Sequence, residues 1–178
     1  MRTLLISTCL VITNLRGPYL ITRLALPLLL KSDLKTLITI SSVGAHSLTP
    51  TLSDYQTSKL ALTRFTEFVA AEHADEGLVA FSVHPGNMLT DIVGKGEGMD
   101  EKFRAVFCDT VELCGDGLAY LCGKRTLEEG GGDAGRLLSG RYVNMTWDMP
   151  ELCSPEMVER VVEGDLLRVK LAVPEVYD

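Results

Sequence analysis

A serine, a tyrosine and a lysine stand close enough in this sequence to share acid–base chemistry. Ser42 precedes Tyr55 by 13 residues, and Lys59 follows Tyr55 by four. Positions four apart on a helix share a face, so the phenol and the ammonium would lie side by side. A free phenol titrates near about 10, too high for proton exchange at neutral pH. A neighbouring ammonium stabilises the phenolate and lowers that value; reaching about 7 takes roughly 4 kcal/mol of differential stabilisation. The Ser42 hydroxyl can hydrogen-bond the same substrate oxygen. Such a trio is a general acid/base for interconverting an alcohol and a carbonyl, with the hydride coming from a cofactor.

These groups need elements to hold them. Leu37-Ile-Thr-Ile40 is a short run rich in β-branched residues, suited to a buried strand over 36–41. Ser42 then falls at the strand's carboxyl end, where open α/β sheets place their sites. Ser53 and Asp54 can cap a helix from Tyr55 to about Glu72, with Leu60, Leu62, Phe65 and Val69 as its apolar positions. Asp75-Glu76-Gly77 ends it. A second buried strand spans 78–84 and runs into Pro85-Gly86; a last one lies within 140–148. A helix is expected over 14–30 despite Gly17, Pro18 and Pro27, with Leu20, Leu24 and Leu28 implying burial on more than one side. Pro18 has no N–H, so the carbonyl of Asn14 is freed to hold a water. Asp109 can cap a helix to Cys122, and Pro155 can start one to about Val162.

The length, 178 residues, suits one domain with a sizeable core. A net charge of −7 argues against nucleic acid or an anionic membrane as partner, and no apolar run approaches a membrane span. The five cysteines lack Cys-x-x-Cys spacing and the three histidines lack ligand spacing, so thiols in a reducing, cytoplasmic compartment are expected and no metal site.

Tyr-x-x-x-Lys alone arises often by chance, but further pieces agree in order and spacing. Asn14, in Thr-Asn-Leu-Arg-Gly-Pro-Tyr, lies 28 residues before Ser42, and Pro85-Gly86-Asn87-Met88-Leu89-Thr90 follows a strand. Together these resemble the active site of the short-chain dehydrogenase/reductase family. The resemblance implies a Rossmann-like, doubly wound parallel α/β sheet and NAD or NADP as cofactor. It implies Tyr55 as acid/base, Lys59 tuning it and binding the nicotinamide ribose, Ser42 orienting the substrate oxygen, and Asn14 holding a relay water. Pro85, Gly86, Met88 and Thr90 would form the nicotinamide loop. Residues 91–104 would be a substrate lid, and Ala45, His46, Ser47 and Leu48 would line the substrate pocket, His46 either binding substrate or facing solvent. Helices 14–30 and 55–72 would form a homo-oligomer interface. Leu138-Ser-Gly-Arg-Tyr-Val, Trp147-Asp and Glu163-Gly-Asp-Leu-Leu resemble the carboxyl ends of fungal members, which points to small metabolites, including those of secondary metabolism.

The resemblance begins at about Asn14. The family's Thr-Gly-x-x-x-Gly-x-Gly turn, whose glycines admit a pyrophosphate at a helix N-terminus, has no match. Neither does its Asn-Asn-Ala-Gly segment. The glycines of 128–135 lack a preceding strand and are flanked by acids, so they make a poor phosphate cradle. The expected fold is therefore N-terminally truncated, with about three core strands and flanking helices. It is one partial NAD(P)-binding domain over 1–178. Residues 1–12 form an atypical leader, similar to a signal-peptide start but without a small-residue cleavage site. A catalytic core spans 13–148 and a carboxyl-terminal extension 149–178. The 36–41 strand would keep an open apolar edge. The expected function is an NAD(P)-dependent oxidoreductase acting on a secondary alcohol or carbonyl. The alternative is a catalytically inactive, dimerising remnant. A nucleotide-sugar epimerase or dehydratase shares Tyr-x-x-x-Lys but not the Pro-Gly loop.

Overall fold

Three short strands pair in parallel in the computed structural model of the chain, which describes residues 8–91, 93, 97–123 and 134–172. Strand β1 (Thr36–Ile40) pairs with β2 (Val79–His84), and β2 with β3 (Arg141–Asn144). The register sets Leu37 opposite Ala80 and Val83 opposite Val143. All six residues of β2 are buried, as a central parallel strand with covered faces requires. One face carries Val79, Phe81 and Val83 into a core with Leu121, Leu138, Met145, Leu152, Val158 and Val161. Helices α3 (Val111–Gly123) and α4 (Pro155–Glu163) supply much of that core.

The other face receives helix α2 (Ser53–Glu72), and here the contact is polar. Thr39 and Thr66 hydroxyls lie 2.7 Å apart; the Thr63 hydroxyl lies 2.8 Å from that of Ser41 and 2.9 Å from that of Ser82. Thr63 also donates to the Lys59 carbonyl at 3.0 Å, and Thr66 to that of Leu62 at 2.9 Å. A hydroxyl has one proton and two lone pairs. If Thr63 gives its proton to Lys59, Ser41 and Ser82 can both donate to it, and the set is closed. The carboxyl-terminal stretch returns to α2, where the Val169 N–H donates to Glu67 Oε1 at 2.7 Å.

Helix α1 (Gly17–Leu29) follows a π-helical turn, Ile12–Arg16, in which the Gly17 N–H reaches back to the Ile12 carbonyl. Pro18 has no N–H to offer Asn14, and the helix widens at that turn. The parallel sheet and its three strands stand as expected. Several details differ. Within this chain α1 is not buried on more than one side: Thr22 is its buried residue, while Leu24 is 77% and Leu28 73% exposed. Helix α2 begins at Ser53 with Leu52 in the N-cap place, so Ser53 and Asp54 stand inside its first turn, where the Asp54 carboxylate accepts the Tyr55 N–H at 2.8 Å. Leu62 and Val69 are buried, but Leu60 is exposed, because the docking face is set by Thr63 and Thr66. Helix α3 is capped by Thr110, whose Oγ1 accepts from the Leu113 N–H at 3.2 Å, and not by Asp109. Residues 128–133 of the glycine-rich stretch and residues 1–7 of the leader lie outside the described residues, while Ala134 and Gly135 are buried and open a short helix, Ala134–Leu137.

The hydroxyl set predicts that Thr63→Val costs about 1–3 kcal/mol, since Ser41 and Ser82 lose a buried partner. Removing all three hydroxyls (Ser41→Ala, Thr63→Val, Ser82→Ala) should cost less than the single change. Urea unfolding of the two variants measures the difference.

Candidate active site

Strand β1 ends at Ile40, two residues before Ser42. Ser42 is extended, and its Oγ accepts the Gly44 N–H at 3.0 Å, starting a 3₁₀ turn, Val43–His46. That turn throws the chain away from the sheet and leaves the hydroxyl at the strand's carboxyl end. Helix α2 presents Tyr55 in its first turn and Lys59 one turn later. Tyr55 and Ser42 meet around Gly44: a Cβ there would lie 3.2 Å from Tyr55 Cε1 and 3.3 Å from Ser42 Oγ. Glycine is what lets the phenol ring and the serine hydroxyl crowd one spot.

Lys59 Nζ lies 5.8 Å from the centre of the Tyr55 ring and donates to the Ile40 carbonyl at 2.8 Å. Burial pushes its pKa below the ordinary lysine value. Asn14 sits in the π-helical turn, and its Nδ2 donates to Ser58 Oγ at 3.1 Å, which in turn donates to the Tyr55 carbonyl at 2.7 Å. Asn14 thus ties its helix to the first turn of α2.

The second wall is the loop after β2. Gly86 adopts φ +106°, a conformation that L side chains rarely take. Asp109 approaches it closely: a Cβ on Gly86 would lie 3.1 Å from both the Cβ and the Oδ2 of Asp109. The Asp109 carboxylate accepts the Asn87 N–H at 2.6 Å, and the Asp109 N–H donates to the Asn87 carbonyl at 3.1 Å. His84, at the end of β2, is buried, and among the described residues its Nδ1 has no hydrogen-bond partner. Burial holds its pKa below the usual histidine value; Asp109 opposes that shift and His46 adds to it.

The residues expected to carry the chemistry or hold the nicotinamide line one cavity of about 300 Å³: Asn14, Ser42, Tyr55, Lys59, Pro85, Gly86, Met88 and Thr90, joined by Asn87 and Phe107. The expected substrate-lining residues go elsewhere. Ala45, His46, Ser47 and Leu48 line a separate opening of about 650 Å³ with Tyr142, Trp147 and Leu167. Ala45 and His46 lie in the 3₁₀ turn and Ser47 and Leu48 just after it; His46 is exposed, its ring set edge-on to Tyr142 at 5.2 Å. Sequence reasoning missed the parts played by Gly44 and Asp109. Asp109 carries a helix-start signal, and nothing local marks it as a partner for a residue 22 positions earlier. Among the described residues no cluster of three or more His, Cys, Asp or Glu could hold a metal, and no helix is long and apolar enough to cross a membrane.

The chain is similar to known proteins along most of its length. A family model described as short chain dehydrogenase matches residues 7–100. The short chain dehydrogenase pigC of Monascus ruber is 49% identical over 157 residues, which are 88% of this chain and 48% of that protein. The short chain dehydrogenase tazN of Aspergillus terreus is 46% identical over 146 residues, 80% of this chain and 30% of its own length. The short chain dehydrogenase andI of Emericella variicolor is 43% identical over 160 residues, 90% of this chain and 50% of its own. The chain spans half the length, or less, of these three relatives.

The position of Lys59 has a consequence for stability. Its folded pKa lies below the unfolded value of 10.5, so the unfolded state binds the proton more tightly. Protonation therefore opposes folding at neutral pH, and the penalty fades as pH rises to 10.5, where neither state holds the proton firmly. Lys59→Met should raise the thermal midpoint at neutral pH by about 2 °C. The gain should shrink toward pH 10.5, a trend that a melting series across that range would reveal.

Proposed function

Because the chain belongs to the short-chain dehydrogenase family, we propose that it carries the catalytic core, residues 13–148, of an NAD- or NADP-dependent oxidoreductase that interconverts a secondary alcohol and a carbonyl on a small metabolite. The observation that carries this reading is the single cavity shared by Ser42, Tyr55, Lys59 and the Pro85–Thr90 loop. Its residues fit the nicotinamide end of such a cofactor. Gly86 bares the backbone, Asn87 to Thr90 follow along the rim, and the volume lies at the lower end for small-ligand sites. When bound, the cofactor gives or takes the hydride.

The chain's own groups handle the proton. The Tyr55 hydroxyl gives its proton to the substrate oxygen in reduction and recovers it in oxidation. Lys59 stabilises the phenolate by charge. An ammonium has three donors: one bonds the Ile40 carbonyl, and the others can serve a ribose hydroxyl and the phenolate. Ser42 accepts from Gly44, so its own proton can point at the substrate oxygen. Asn14 can hold a relay water on its carbonyl, which Pro18 cannot occupy. Substrates of fungal secondary metabolism, a cytoplasmic setting and a homo-oligomer through helices 14–30 and 55–72 belong to the same reading.

One observation favours a second reading, a catalytically inactive chain that only dimerises: Ile21, Leu24, Leu28 and Phe68 form exposed apolar surface on the two helices in question. Fluorescence titration of the 178-residue chain with NADH and with NADPH separates the two readings. Saturable binding, with turnover in Tyr55→Phe lowered by about 10²–10⁴-fold and binding retained, is the outcome expected of the enzyme. Undiminished turnover would remove Tyr55 from the mechanism, and no binding would favour the dimerising chain.

A further inference from the structure

We propose that Asp109 is a positioning residue that holds the Pro85–Asn87 turn in the shape needed to face a nicotinamide group, an inference that rests on the reading of the site given above. Three observations converge. Asp109 makes a reciprocal pair with Asn87: its carboxylate accepts the Asn87 N–H at 2.6 Å while its own N–H donates to the Asn87 carbonyl at 3.1 Å. A carboxylate bonding a backbone N–H at that distance is a charge-assisted bond, about twice as strong as a neutral one. Next, Gly86 holds φ +106°, and the space its missing side chain leaves is filled by Asp109, whose Cβ, Oδ2 and Cγ lie 3.1, 3.1 and 3.3 Å from where a Cβ would be. The glycine and the aspartate therefore form one device: the turn is open on the side that Asp109 closes. Last, the residues of that turn line the cavity with Tyr55 and Lys59, and Phe107, two residues before Asp109, lines it from the same segment.

An isolated Pro-Gly turn has other conformations open to it, and a positive φ at Gly86 is only one of them. Pinning both backbone groups of Asn87 removes those alternatives. It sets the direction of the amides that follow, Met88 and Thr90. Asp109 touches none of the reacting groups, so its effect passes through Asn87.

The test uses the 178-residue chain, its Asp109→Ala and Asp109→Asn variants, and nicotinamide mononucleotide as probe. Amide hydrogen exchange at Asn87 and chemical-shift titration of the Met88 and Thr90 amides are the readouts. In Asp109→Ala the Asn87 amide should exchange about tenfold faster, and half-saturation should need about tenfold more probe. Exchange in β2 should stay as in the unaltered chain, which separates a loosened turn from a loosened fold. Asp109→Asn keeps an acceptor oxygen without the charge and should fall between; if the alanine variant does not fold, this variant decides. Probe titration and Asn87 exchange unchanged by either substitution would overturn the role of Asp109 and leave the site reading standing. No probe-induced shift in the unaltered chain would overturn the site reading and, with it, this role.

Discussion

The hydroxyl-to-hydroxyl contact between α2 and the sheet decides where everything else in the site can be. Hydrophobic contact is non-directional and would let a helix slide or rotate on its strands. Oxygen-to-oxygen bonds of 2.7–2.9 Å permit one register. Thr66 is locked to Thr39 and Thr63 to Ser41 and Ser82, so α2 has a single seat on β1 and β2. Ser41 is next to Ser42, and the Lys59 carbonyl receives the Thr63 hydroxyl at 3.0 Å. The network that seats the helix thereby sets the distance between the serine on the strand and the lysine and tyrosine on the helix. Buried polar sets of this kind specify a unique arrangement when every member is satisfied.

A second constraint comes from the far side of the cavity. The loop after β2 would be free at its glycine, but Asp109 holds it through two backbone bonds and fills the space beside it. Three segments distant in sequence thus reach one sheet edge: the π-helical turn through Asn14, the strand–turn–helix through Ser42, Tyr55 and Lys59, and the Pro85–Thr90 loop. The carboxyl edge of a parallel sheet is where such segments converge, because every crossover emerges there. The site also carries a stability cost. Lys59 is partly buried, which disfavours its charged form, and among the described residues the buried His84 Nδ1 has no hydrogen-bond partner. Strain and unsatisfied groups of this sort gather at functional sites.

How far the fold was legible depended on which signal each element carries. The runs at 36–40 and 79–84 are short and rich in apolar residues, and both form strands within a residue of the expected bounds; β2 is buried throughout, whereas β1 is largely half-buried and Ile40 is exposed. The end of α2 at Glu72 was readable from Asp75-Glu76-Gly77. Helix faces were harder. Leu60 and Leu24 read as core by residue type, yet both are exposed, because polar Thr63 and Thr66 occupy the docking face and Thr22 the buried side of α1. A cap misled too: Asp109 is a good N-cap type, yet its carboxylate turns to the Asn87 N–H, whereas Asp54 does serve a first-turn amide of α2, that of Tyr55, from inside the helix.

The residues alone marked the family and the candidate site: a tyrosine and a lysine four apart, a serine thirteen before, an asparagine and a Pro-Gly turn at matching intervals. Spacing along a helix or strand translates directly into which groups share a face, and that translation needs no knowledge of the rest of the chain. Tertiary structure alone decided three matters. It sent Ala45 to Leu48 to a separate opening, emptied the space at Gly44 so that Tyr55 and Ser42 could meet, and brought Asp109 to Asn87. Each depends on contacts between segments whose separation in sequence carries no periodic signal. Only the folded chain could bring those segments together.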